Sequence, residues 1–129
     1  MKGIAQFEDL ECWQSARELC IMVIEMTNKE TFSKDFRFVS QIKASSGSGM
    51  DNKAEGFERG GNREYIQFLY IAKGSLGETR SQLYRAFENN YIASEELEAA
   101  LEIALKASRQ TQNLIKSLNQ SNYRGHKYK

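Results

Sequence analysis

Hydrophobic and small residues recur every three or four positions along almost the whole chain, which is the spacing of one face of an α-helix. The first stripe follows Asp9, a residue type that caps helices, and its pattern breaks at the segment NKETFS. Ser33 can cap a second helix after that break, with Phe36, Val39 and Ile42 on its apolar face. The members of the first stripe are Leu10, Trp13, Ala16, Cys20, Val23, Ile24 and Thr27.

Two longer stripes follow in the second half of the chain. The segment RGGN at 59–62 is the clearest turn, and Asn62 can cap the helix after it. That helix ends at ENNY, and Ser94 can cap a fourth helix. The third stripe consists of Tyr65, Phe68, Leu69, Ala72, Leu76, Leu83 and Ala86. The fourth consists of Leu97, Leu101, Ala104, Leu105, Ser108, Leu114, Ile115 and Leu118.

Four helices of roughly 18 to 28 residues with short connections imply antiparallel neighbours. The predicted fold is therefore all-α, an antiparallel up-down-up-down four-helix bundle. A chain of 129 residues supports one core, and we expect a single domain over residues 1–120. Residues 121–129 show no periodicity and carry three basic residues and no acidic one, which predicts a flexible basic tail.

The segment SSGSGMDNKAEGFERGGN, residues 45–62, has the composition of a linker within a helical pattern. It does not match a nucleotide-binding loop, because GSGMDN lacks the third glycine of GxGxxG. In a hairpin that turns near residues 60–61, Gly47 lies level with Gly74, and Lys43 with Glu78. Glycines facing each other favour a close crossing of the two helices, and a local break in the second helix is the alternative.

Charge is distributed unevenly, although the formal net charge is only +1. Residues 34–85 carry nine Lys or Arg against six Asp or Glu, whereas residues 1–33 carry three against six. An anionic partner would therefore meet the middle of the chain or the basic tail. Modest overall charge makes a general nucleic-acid or membrane affinity less expected.

The sequence predicts a cytoplasmic location. The segment MKGIAQFEDLE turns acidic where a secretory signal would be apolar, and the longest apolar run, LCIMVI, is too short to cross a bilayer. Cys12 and Cys20 lie eight residues apart, about 12 Å along one helix, which is too far for a disulfide. We expect both to be buried, reduced thiols.

No catalytic arrangement is recognisable, and we expect no enzyme activity, metal or cofactor. The single histidine, His126, lies in the predicted tail, so neither a Ser-His-Asp triad nor a Glu-x-x-His metal motif can form in the bundle. The paired carboxylates Glu95 and Glu96 are better explained by the positive N-terminal end of a helix.

Four segments together carry a family resemblance. In order and spacing, FEDLECWQSA (7–16), QIKAS (41–45), NKAEGFERG (52–60) and FLYIAKGSLGE (68–78) resemble the intervening-sequence proteins encoded within inserts of bacterial 23S ribosomal RNA genes. This resemblance implies a four-helix bundle that assembles into a ring-like homopentamer. It also brings in relatives that bind nucleic acid and a reverse transcriptase. The family usually has Val, Ile, Pro and Ile where this chain has Gly47, Gly49, Met50 and Lys53.

Three groups of residues are candidates for function. The family motif is expected to form a polar network within the hairpin or across subunits, with an intrahelical ion pair as the alternative: its members are Asn52, Glu55, Gly56, Arg59 and Glu78. A basic stripe on the second and third helices could contact phosphates, with a solvated face as the alternative: its members are Lys43, Lys53, Arg59, Arg63 and Lys73. The tail adds Arg124, Lys127 and Lys129, which suit RNA contact or have no role.

Two functions follow from these observations. The first is a non-enzymatic homo-oligomer that associates with RNA, ribosomal RNA by resemblance, since repeated weak sites on one assembly gain avidity. The second is a scaffold for another protein, such as a reverse transcriptase to which it would be an accessory subunit. Neither a membrane nor a small-molecule substrate is expected as a partner.

Overall fold

The structure is a computed structural model that describes residues 4–127, with side chains for residues 4–121. All regular structure in this part of the chain is helical, which confirms the all-α prediction. None of its helices combines the length and the apolar character needed to cross a membrane. In chain order the elements are a 3-10 turn at Phe7–Asp9, α1 (Glu11–Thr27), α2 (Glu30–Ser33), α3 (Phe36–Arg59), α4 (Asn62–Glu88) and α5 (Ser94–Lys127).

The four long helices form a bundle in which each packs against two others. The neighbours are α1 and α3, α3 and α4, α4 and α5, and α5 and α1. Each neighbouring pair runs antiparallel, because contacts between higher-numbered residues of one helix involve lower-numbered residues of the next. Between the α1 side and α5, Ser15 contacts Gln110 and Lys29 contacts Glu96; between α1 and α3, Cys12 contacts Lys53 and Cys20 contacts Ser46. Between α3 and α4, Ser45 contacts Thr79 and Ser48 contacts Ser75; between α4 and α5, Asn62 contacts Leu118 and Lys73 contacts Gln112.

The short helix α2 occupies the predicted break between the first two long helices. Ser33, expected to cap the second helix, ends α2 instead, and the carboxylate of Asp35 caps α3 by accepting from the Phe38 N–H at 3.2 Å. Phe32 of α2 is fully buried and stacks on Tyr91, with ring centroids 4.8 Å apart. This aromatic contact ties the α1–α3 connection to the α4–α5 connection at the same end of the bundle.

The apolar core is divided into two clusters. The larger lies towards the α2 end and contains Leu19, Val23, Phe32, Phe38, Ile42, Leu76, Leu83 and Ile92, among others. The smaller lies towards the α3–α4 turn and contains Leu10, Cys12, Leu69, Leu114, Ile115 and Leu118. The stripes predicted from sequence supply most of these residues.

Helix α3 is continuous through its glycines, and the close approach to α4 occurs at other glycines than predicted. A Cβ atom at Gly47 or Gly74 would meet nothing within 4 Å, whereas one at Gly49 would lie 3.0 Å from the Leu76 side chain. The residue numbers of two facing positions add up to about 124, as in the Ser45–Thr79 contact. The predicted pair Gly47 and Gly74 adds up to 121. The reason is that side chains lean towards the N-terminus of their own helix, so each facing residue is displaced towards the C-terminus.

Helix α5 extends to Lys127, beyond the boundary near residue 120 that the loss of apolar periodicity suggested. A helix does not need an apolar stripe to continue, since its backbone hydrogen bonds are internal. The side chains of residues 122–127 and the whole of residues 128–129 lie outside the described part of the chain.

Candidate functional site

Lys53 lies in the centre of the bundle, not on its surface. The side chain is fully buried, and its Nζ donates a hydrogen bond to the Cys12 carbonyl of α1 at 2.9 Å. Helical periodicity places position 53 on the face that carries Ile42 and Ser46, both buried. The prediction that Lys53 contacts phosphates on a surface stripe is therefore wrong, because packing of that face turns the lysine inwards.

The environment of Lys53 contains little to balance its charge. Among the described residues no carboxylate lies within ion-pairing distance of its Nζ. Burial lowers the pKa of Lys53 to about 8. Burial also raises the pKa of the neighbouring Cys12 thiol, an effect that the ammonium of Lys53 partly opposes. The thiol therefore remains protonated near neutral pH and is a poor nucleophile.

Arg59 lies near the α3–α4 turn and is held by two carboxylates. Its guanidinium lies 3.0 Å from the Glu55 carboxylate and 3.5 Å from that of Glu64, and it also covers the Phe68 ring at 5.3 Å. Glu55 and Arg59 thus form the intrahelical pair that was the alternative to a wider network. Because its charge is matched locally, Arg59 is a weaker candidate for phosphate contact than an unpaired cation.

Asn52 and Gly56 act at the contact between α3 and α4. The Asn52 amide donates to the carbonyl and the hydroxyl oxygen of Ser48, at 2.9 and 2.8 Å, and the Ser48 hydroxyl bonds that of Ser75 at 2.8 Å. Asn52 is therefore linked to α4 through serines. Gly56 is buried, and a Cβ atom there would lie 2.8 Å from the Phe68 Cβ.

Glu78 borders a polar groove of about 390 Å³ between α3 and α4. Its carboxylate accepts a long hydrogen bond, 3.4 Å, from the Gln82 amide. The Gln82 carbonyl oxygen in turn accepts from the Ser45 hydroxyl at 2.6 Å, and that hydroxyl bonds Thr79 at 2.8 Å. These buried hydroxyl and amide groups satisfy one another, so the groove's floor is a structural network within the fold.

The remaining predicted cations of the bundle lie on different faces. Lys43 is exposed and lies one turn from Ser46, whose carbonyl accepts from Cys20, so it faces the α1 side of α3. Lys73 donates to the Gln112 side chain of α5 at 2.8 Å, and Arg63 is exposed in the first turn of α4. The structure does not bring Lys43, Arg63 and Lys73 together into one stripe.

The last group of candidates is in the tail. The side chains of Arg124 and Lys127, and all of Lys129, lie outside the described residues.

Three residues that the sequence analysis did not single out stand on the outer surface of α4. Tyr70 and Tyr84 are about half exposed, and Arg80 has an Nε atom that is buried without a hydrogen-bond partner. They fall outside the apolar stripe of this helix, which is the only signal that the sequence contains for them. Within the described part of the chain, no three His, Cys, Asp or Glu side chains are grouped to hold a metal ion.

A solved structure supports the fold, and a family model identifies the family. A crystal structure at 1.70 Å of a protein with unknown function from the S23 ribosomal protein family of Bacteroides thetaiotaomicron is similar, with a TM-score of 0.75 and 21% sequence identity. The match covers 81% of this chain and 95% of that one. No curated protein matches. The family model described as 23S rRNA-intervening sequence protein matches residues 8–113, and the chain therefore belongs to that family.

Proposed function

We propose that this protein is a non-enzymatic, cytoplasmic homo-oligomer that associates with RNA, ribosomal RNA being the first candidate because of its family. The observation that carries the RNA proposal is the set of cations that the fold leaves without carboxylate partners. Among the described residues, no carboxylate pairs with Lys43, Arg63 or Lys73. Free cations near a surface neutralise phosphates and release counterions.

A cytoplasmic setting is supported by the cysteines. Cys12 and Cys20 are both free thiols, as expected in a reducing compartment.

RNA association is tested by electrophoretic mobility shift with a structured 23S rRNA fragment at two salt concentrations. Affinity is expected to fall by orders of magnitude between about 50 and 200 mM salt, because binding through several phosphates depends steeply on salt. The double variant Arg63→Gln/Lys73→Gln is expected to bind more weakly and with a shallower salt dependence. Absence of binding at low salt would overturn the RNA proposal.

A matched control is available directly after α2. Lys34 is an exposed cation that already lies 3.8 Å from the Glu30 carboxylate, so Lys34→Gln changes the charge without removing an unpaired cation. We expect its affinity for RNA to stay close to that of the unmodified chain. Equal losses from Lys34→Gln and from either single neutralisation would show that only net charge matters.

Self-association is supported by large apolar side chains that the bundle does not cover. Ile21 and Ile24 lie three residues apart on α1, so they form one exposed patch. Exposed apolar patches on a small bundle mark interaction surfaces. The same patch would serve the second candidate function, a scaffold for another protein such as a reverse transcriptase.

Light scattering tests the assembly. We expect a species several times the chain mass of 14.8 kDa, five times for the homopentamer that the family resemblance implies. Ile21→Lys/Ile24→Lys is expected to shift the species towards the monomer, whereas Phe36→Lys, an exposed aromatic on α3, is not. If the unmodified chain is monomeric at micromolar concentration, the proposal of a homo-oligomer is wrong. An oligomer that binds no RNA would favour the scaffold.

A further inference from the structure

The outer face of α4 carries two tyrosines that the bundle does not use. Tyr70 and Tyr84 are 51% and 49% exposed, and neither belongs to an apolar core cluster. They are fourteen residues apart, close to four helical turns, so they lie on the same side of the helix about 21 Å apart. Their rings are thus presented to solvent along one line.

The surface between these tyrosines includes two glycines. Gly74 and Gly77 lie in this interval, and a Cβ atom at either position would meet nothing within 4 Å. Among the described residues, no packing contact requires glycine at these two positions, although each glycine lowers helix stability by about 1 kcal/mol relative to alanine. The two glycines therefore form a shallow surface that has an exposed tyrosine ring at each end.

Three cations border this surface where α4 meets α5. Lys73 and Arg80 are two turns apart on α4, and Arg109 lies one turn before Gln112, the residue that Lys73 contacts. Within the described part of the chain, no carboxylate pairs with any of the three. The Nε atom of Arg80 is buried without a hydrogen-bond partner.

We propose that this α4–α5 face binds single-stranded RNA, with bases stacking on Tyr70 and Tyr84 and phosphates contacting Lys73, Arg80 and Arg109. This inference rests on the proposed function and names the site and the form of the RNA. Aromatic rings beside a row of cations are the combination by which proteins bind single strands without reading sequence. A protein partner is less favoured, because the middle of the face offers glycine where a protein interface would have a large apolar centre.

Fluorescence anisotropy with a labelled oligouridylate of about 16 nucleotides tests the site. Tyr70→Leu/Tyr84→Leu is expected to weaken binding about thirtyfold or more, because each of the two lost stacking contacts contributes at least about 1 kcal/mol. Its salt dependence should stay unchanged. Tyr70→Phe/Tyr84→Phe keeps both rings and is expected to bind like the unmodified chain, which separates stacking from a general effect of substitution.

Neutralising the cations should give the complementary result. Lys73→Gln/Arg80→Gln is expected to weaken binding and also to reduce the slope of affinity against salt, because phosphate contacts are lost. Phe36→Leu serves as the control, since this exposed aromatic lies on α3, away from the face. Circular dichroism of each variant confirms that the helices are retained.

The outcomes separate this inference from the proposed function. If the ribosomal RNA fragment binds but both leucine substitutions leave oligouridylate affinity unchanged, the face is wrong and the proposed function stands. If neither RNA binds at low salt, the proposed function itself fails. If a polyglutamate peptide displaces oligouridylate and the tyrosine variants bind normally, the face recognises charge alone, which also overturns the inference.

Discussion

Replacing Lys53 by methionine is expected to stabilise the bundle by about 2 kcal/mol at pH 7, a rare outcome for a core substitution. Holding the pKa of this buried lysine at about 8, against its ordinary 10.5, corresponds to roughly 3 kcal/mol of unfavourable free energy for the charged form. Methionine keeps the unbranched stem and removes the charge, and it gives up one hydrogen bond of about 1 kcal/mol, to the Cys12 carbonyl. Denaturant unfolding followed by circular dichroism measures the difference.

The same substitution should show a defined pH dependence. Between pH 8 and 10.5 the unfolded chain holds a proton on Lys53 that the folded chain has released, so the unmodified protein gains stability relative to the variant as pH rises. The advantage of methionine should therefore shrink steadily over this interval. Burial raises the pKa of the Cys12 and Cys20 thiols, which opposes this trend in both proteins. This effect cancels in the difference, apart from the part that the charge of Lys53 contributes.

Lys43→Met is the control for both measurements. It makes the same chemical change on the exposed side of α3, and we expect a change in stability within about 0.5 kcal/mol. Protein concentration is kept fixed, because the stability of an oligomer depends on it. A Lys53→Met protein that is less stable than the unmodified one at pH 7 would show that the ammonium has a compensating partner.

Replacing Gly56 by alanine is expected to destabilise the protein by about 2 kcal/mol, the usual scale for overpacking a core. The added methyl carbon would lie 2.8 Å from the Phe68 Cβ and 3.1 Å from the Tyr65 ring. A Cβ atom is fixed to the backbone and cannot rotate away, so α3 and α4 must move apart. The midpoint of thermal or denaturant unfolding reports the loss.

Gly47→Ala provides the opposite result on the same helix. A Cβ atom there would meet nothing within 4 Å, so alanine adds helix propensity without a clash and should stabilise by about 0.5–1 kcal/mol. The pair of variants distinguishes a steric requirement for glycine from a requirement for flexibility. Equal effects of the two substitutions would contradict the close crossing at Gly56.

The apolar spacing along the chain was sufficient to predict four long helices and most of their core residues. Leu69, Leu76 and Leu83, for example, recur every seven residues on one predicted face, and all three are fully buried. Helical periodicity is local and follows directly from sequence. The turn at RGGN was also predicted correctly, and Gly60 adopts the left-handed conformation there with φ of 83°.

The polar members of the core were harder to foresee. Ser45, Thr79 and Gln82 can be buried because their side chains form hydrogen bonds with one another across two helices. The sequence does not show which polar side chains will form these bonds. The burial of Lys53 was harder still to predict, since lysine side chains are almost always exposed. Its burial follows from the rotation of α3, which the apolar residues on the same face determine.

The sequence by itself determined the helices, the antiparallel order of the bundle and the family, because these depend on periodicity, turn residues and motifs that lie close together in the chain. Only the tertiary structure decided the register between helices, the inward position of Lys53 and the faces that remain free. The physical reason is that side-chain lean and helix rotation emerge from packing. For this reason the close crossing of α3 and α4 lies at Gly49 and Gly56, and not at Gly47 as the sequence predicted.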